Sequence, residues 1–84
     1  MRAFLVYTPD HELGRLGDGV DLIRLGDGLS LARTDRTRSR LYHDVKALLP
    51  RDAALLVAPL DGPPKFKGMA AGRTAAVTAW FGRC

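Results

Sequence analysis

The chain has one cysteine, Cys84, and it is the last residue. An internal disulfide and a zinc site built on several thiolates are therefore excluded, and a prenylation signal, which places its cysteine four residues from the end, is not expected. Long apolar runs are also missing, since nothing approaches the ~20 residues that a membrane-crossing helix needs. The run Ala3 to Tyr7 is too short for the apolar part of a secretory leader and no cleavage pattern follows it, so the expected location is the cytoplasm. A phosphate-binding glycine loop is absent, because Gly14, Gly17 and Gly19 do not stand between a strand and a long helix.

Catalytic and metal-binding patterns are equally thin. Asp10, His11 and Glu12 are adjacent and would point in different directions along a helix, while His43 stands far off in sequence. Ser30 and the threonines show no paired base and orienting acid. The reading therefore expects no catalytic residue, metal or cofactor. What the chain does have is a folded domain's composition, with 46% hydrophobic and 26% charged residues in 84, which fits one small domain spanning 1–84.

The charge is uneven. Residues 1–32 hold three arginines against five acids, and residues 33–84 hold ten bases against four acids, so the net +4 belongs to the second half. Along the chain, Arg2 to Tyr7 reads as a strand buried on both faces. Thr8-Pro9-Asp10-His11-Glu12 has the marks of a helix start, with Leu13 and Leu16 on one side and Gly17 as its end. Two copies of an Arg-Leu-Gly-Asp-Gly pattern follow, at 15–19 and 24–28, and both read as turns. The second is expected as a three-residue hairpin loop, Gly26-Asp27-Gly28, that pairs Leu25 with Leu29, Ile23 with Leu31 and Asp21 with Arg33.

A helix capped by Thr34 or Asp35 comes next, with Leu41, Tyr42, Val45, Leu48 and Leu49 on its apolar side and Pro50 as its stop. Ala53 to Ala58 reads as a strand ended by Pro59. Residues 61–68 form a loop, and Arg73 to Phe81 is a helix or a strand, with helix slightly preferred. The order implies an α+β fold, a ferredoxin-like βαββαβ sandwich with a four-stranded antiparallel sheet, helices on one face and an extra C-terminal helix or strand. The apolar strands do not alternate, so the outer sheet face needs a cover. The candidates are the C-terminal segment with Trp80 and Phe81 or a second copy, and the reading favours a homodimer.

The stretch from Leu29 to Leu60 (strand, charged turn, helix, strand) resembles the second half of the small dimeric nucleases of CRISPR spacer acquisition. Those proteins carry an aspartate just after the tyrosine of the first strand, and this chain has Thr8 there. The resemblance thus implies a related fold without the nuclease's acid.

Two segments carry the functional expectation. Arg36, Arg40 and His43 recur at i, i+4, i+7 and would form a basic stripe suited to a phosphate backbone. In the loop, Lys65 and Lys67 flank Phe66, which suits phosphate contacts around a stacked base, and Arg73 adds a further cation. The leading expectation is non-specific binding of DNA or RNA through these seven residues. The alternative is a non-enzymatic module that acts on a protein partner through Tyr42, Phe66 or Trp80.

Overall fold

The computed structural model describes residues 2–14, 16–62, 64–65, 67–68 and 73–81. It is an α+β structure built on one four-stranded antiparallel sheet. Strands β1 (Arg2–Tyr7), β2 (Val20–Gly26), β3 (Leu29–Thr34) and β4 (Leu56–Leu60) lie in the order β2-β3-β1-β4. Helix α1 (Arg38–Lys46) joins β3 to β4, and α2 (Arg73–Phe81) follows β4. As expected, β1 is central, pairing Leu5 with Leu31 on one side and with Ala58 on the other.

Strand alternation divides the apolar residues between two cores. Phe4, Val6 and Ala32 point to the side of α1, where Leu41 and Val45 are fully buried against them. Ile23, Leu25 and Leu31 point to the other side and are covered by Val77, Ala76, Trp80 and Phe81 of α2. The strands are apolar on both faces because each face has its own helix. The C-terminal segment is thus a helix, and it supplies in cis the cover for which a second copy was expected. The homodimer loses that part of its argument. Left open on the α2 side is a corner where the register partners Tyr7 and Leu56 are 43% and 49% exposed.

The expected first helix does not form. Residues 8–14 and 16–17 have no regular structure, and Asp10 has φ 66°, which no right-handed helix accommodates. Thr8 is not a cap: its buried hydroxyl donates to the carbonyls of His11 and Gly28 at 3.0 and 3.4 Å. Two turns of helix are marginal in themselves, and the coil already seats Leu13 and Leu16 on the α1-side core. Helix formation would add no further burial.

The hairpin keeps most of its expected register, with Ile23 opposite Leu31 and Asp21 opposite Arg33. The last pair differs. Gly26, not Leu25, faces Leu29, and an irregularity between Arg24 and Gly26 absorbs the extra residue. The turn therefore closes over Asp27 and Gly28, and the bulge keeps Leu25 buried on the α2 side. Gly28 has the expected positive φ, 69°.

The other two boundaries shift for local reasons. Thr37 caps α1, accepting from the Arg40 amide at 3.2 Å, while the Thr34 hydroxyl is taken by the Arg36 amide. The helix ends at Lys46, so Leu48 lies past it and is 54% exposed. Strand β4 starts at Leu56 and runs through Pro59. A sheet edge tolerates this, because the missing N–H is on the side without a neighbour.

Candidate nucleic-acid interface

The expected stripe on α1 is broken at its first member. Arg36 precedes the Thr37 cap and is not on the helix. Its guanidinium donates to Asp44 Oδ2 at 2.6 Å and to the Asp18 carbonyl at 2.9 Å, clipping the turn before β2 to α1. Arg40 places Nε 3.3 Å from the other Asp44 oxygen, although its side chain is 71% exposed. His43 is exposed and meets the Tyr42 ring edge-on at 5.4 Å. Lys65 and Lys67 are exposed and have no ion pair among the described residues. Phe66 lies outside the described residues, as does the side chain of Arg73, whose backbone opens α2.

A different set of cations comes together around α1. Arg38, Tyr42 and Lys46 recur at i, i+4, i+8, within an arc of about 80° at 100° per residue. Arg51 follows in the turn after the helix and shares a cleft of about 370 Å³ with Tyr42, Lys46, Leu49, Ala53 and Leu55. Arg38, Lys46 and Arg51 are all exposed and make no ion pair among the described residues. Lys46 Nζ stands 5.9 Å from the Tyr42 ring centroid. Such a contact is worth ~0.5–1 kcal/mol at an exposed site, so it restrains the ammonium only weakly. His43 and Lys46 also complement the negative end of the helix dipole.

Sequence reasoning assigned Tyr42 to the apolar side of the helix and so missed this set. The signal available was the spacing of Arg38 and Lys46, each four residues from an aromatic, with Arg51 just beyond the helix stop. The apolar arc reaches Tyr42 only when Leu48 and Leu49 are counted on the helix, and both lie past its end at Lys46.

The remaining charged clusters are internally paired. Arg24 bridges Glu12 at 2.6 Å and Asp27 at 2.9 Å, which occupies two carboxylates beside the cleft lined by Asp10, His11 and Gly28. Among the described residues no three His, Cys, Asp or Glu side chains gather as a metal site would require. At the far end of α2, Arg2 and Arg33 line a cavity with Trp80 and Phe81, but Arg2 donates to the Asp35 carbonyl and Arg33 to Asp21 at 3.0 Å. The Arg33 guanidinium carbon also lies 5.0 Å from the Trp80 ring centroid. Both cations there serve the fold. No protein-family model, curated protein or solved structure matches this chain.

Proposed function

We propose that the protein is a small basic ferredoxin-like domain of the cytoplasm that binds nucleic acid without sequence preference through α1 and the turn after it. The fold part of the proposal is supported by the strand order β2-β3-β1-β4 with every neighbour antiparallel, the 8–19 coil standing where the first crossover helix would be. The binding part is carried by one observation: Arg38, Lys46 and Arg51 are exposed and unpaired among the described residues, whereas Arg24, Arg33, Arg36 and Arg40 are each held by a carboxylate. Cations left without internal partners are free to replace counterions along a phosphate chain. Lys65 and Lys67 have the same freedom and belong to the proposed surface.

Binding of labelled oligonucleotides should weaken steeply with salt, log K falling against log salt with a slope of roughly −2 to −3 if the three cations each neutralise a phosphate. Replacing Arg38, Lys46 and Arg51 together by glutamate should abolish binding at moderate salt. A protein that fails to bind at low salt, or binds with no salt dependence, overturns the proposal.

The second reading, a protein-interaction module, is favoured by the open corner at Tyr7 and Leu56, which sits on the face that α2 covers only in part. A second copy is the partner proposed for it. Leu56→Asp should abolish any self-association seen by light scattering, and an unchanged dimer mass would exclude that corner.

A further inference from the structure

We propose that the cleft beside Tyr42 receives an unstacked base, so that the protein prefers single strands to duplexes. This rests on the nucleic-acid reading above and adds the form of the ligand. The cleft is lined by two chemistries. Leu49, Ala53 and Leu55 are apolar, and they share the lining with Tyr42, itself 37% exposed, and with two cations, Lys46 and Arg51. A lone phosphate would leave the apolar wall and the ring unused. A purely apolar ligand would have to lie beside two unpaired cations. A nucleotide with a free base satisfies both, the base against Tyr42 and the flanking phosphates on Lys46 and Arg51.

A duplex cannot do this, because its bases are stacked and paired and offer a protein their edges in the grooves but not their faces. Lys46 is the residue that must move. Its Nζ is 5.9 Å from the ring centroid and no ion pair holds it among the described residues, so it can leave the ring for a phosphate and open the ring to a base. His43 meets the same ring at 5.4 Å with the planes 74° apart, a second weak restraint on Tyr42 from its own helix. Arg38, one turn before Tyr42, extends the cationic track beyond the cleft.

Fluorescence anisotropy with a labelled oligothymidine strand, a hairpin duplex and an oligonucleotide of abasic residues tests this. The strand should bind about ten-fold tighter than the hairpin or the abasic chain, the range that one stacked base supplies. Tyr42→Leu should bring the strand down to the hairpin's affinity and leave the hairpin unchanged, and Tyr42→Phe should keep the preference. Equal binding of all three ligands, with sensitivity only to charge reversal at Arg38, Lys46 and Arg51, would overturn this inference and leave phosphate binding standing. Failure of all three to bind would remove both. Displacement of the strand by an acidic, tyrosine-bearing peptide at equal concentration would overturn the assignment in favour of a protein ligand. Should Tyr42→Leu lose helix content by circular dichroism, the strand-to-abasic ratio on the unaltered protein decides the matter alone.

Discussion

Gly28 and Thr8 meet backbone to backbone at close range. The Thr8 amide donates to the Gly28 carbonyl at 2.6 Å, and a Cβ added at Gly28 would stand 2.5 Å from the Thr8 carbonyl oxygen. Gly28→Ala combines that clash with a left-handed φ, so a loss of roughly 2–4 kcal/mol is expected in urea unfolding. A loss under about 1 kcal/mol would mean that the Thr8–Pro9 backbone simply moves aside. The buried Thr8 hydroxyl, with the carbonyls of His11 and Gly28 as its acceptors, ties the same coil to the hairpin turn. Asp44 is the other pivotal residue. Its side chain is 25% exposed and that of Arg36 29%, so Asp44→Asn should cost about 1–3 kcal/mol. The more exposed pair of Arg33 with Asp21 should yield under about 1 kcal/mol in Asp21→Asn. Equal losses for the two would show that burial does not set their worth.

Elements were legible in the sequence where burial and local chemistry agree. The β1 run, the Ile23–Leu31 pair that sets the hairpin register and the Leu41 and Val45 face of α1 follow from apolar spacing, whereas the spacing of 73–81 fits helix and strand alike and the structure decides for helix. The missing first helix was not legible, because its start signals, Thr8, Pro9 and two acids, serve a coil equally well once Asp10 turns left-handed. The bulge was hidden for a related reason, since one inserted residue reconciles a tight turn with the apolar register that seemed to exclude it. Prolines misled twice: Pro59 sits inside an edge strand, and α1 stops four residues before Pro50. The prediction at this scale concerns α2. Val77, 2% exposed, is its anchor on Ile23, Leu25 and Leu31. Val77→Ala should cost roughly 1–3 kcal/mol, and Val77→Asp should release the helix. The sole tryptophan, Trp80, reports this as a red shift of emission, and an unshifted spectrum would mean that the helix stays docked.

For the whole molecule, the question the sequence left open was what covers the second face of the sheet, and it was open because apolar strands state that a cover exists without saying whose it is. The answer also changes the expected assembly. Both sheet edges discourage addition of a strand, β2 through its bulge with Asp21 and Arg24, and β4 through Pro59. Among the described residues the sheet itself leaves open the Tyr7 and Leu56 corner, and two side chains are far less than a stable dimer buries. A concentration series by light scattering should therefore show a monomer when dilute, with weak association at high concentration that Leu56→Asp removes. A dimer persisting under strong dilution would require a surface other than this one. The basic surface was only half legible for a comparable reason, because sequence counts cations but does not tell which of them the fold consumes.

The central place of β1 bears on how the protein is made. β1 can be flanked on both sides only after Leu60 has been added, because its neighbours, β3 and β4, both come later in the chain. Until then Phe4 and Val6 travel as bare grease on a growing polypeptide, with coil behind them and no helix of their own to shelter in. Synthesis and folding are thereby forced out of step: everything from Arg2 to Leu60 must be made before β1 is enclosed, and nascent chains halted before Leu56 should be sticky and readily cut by proteases.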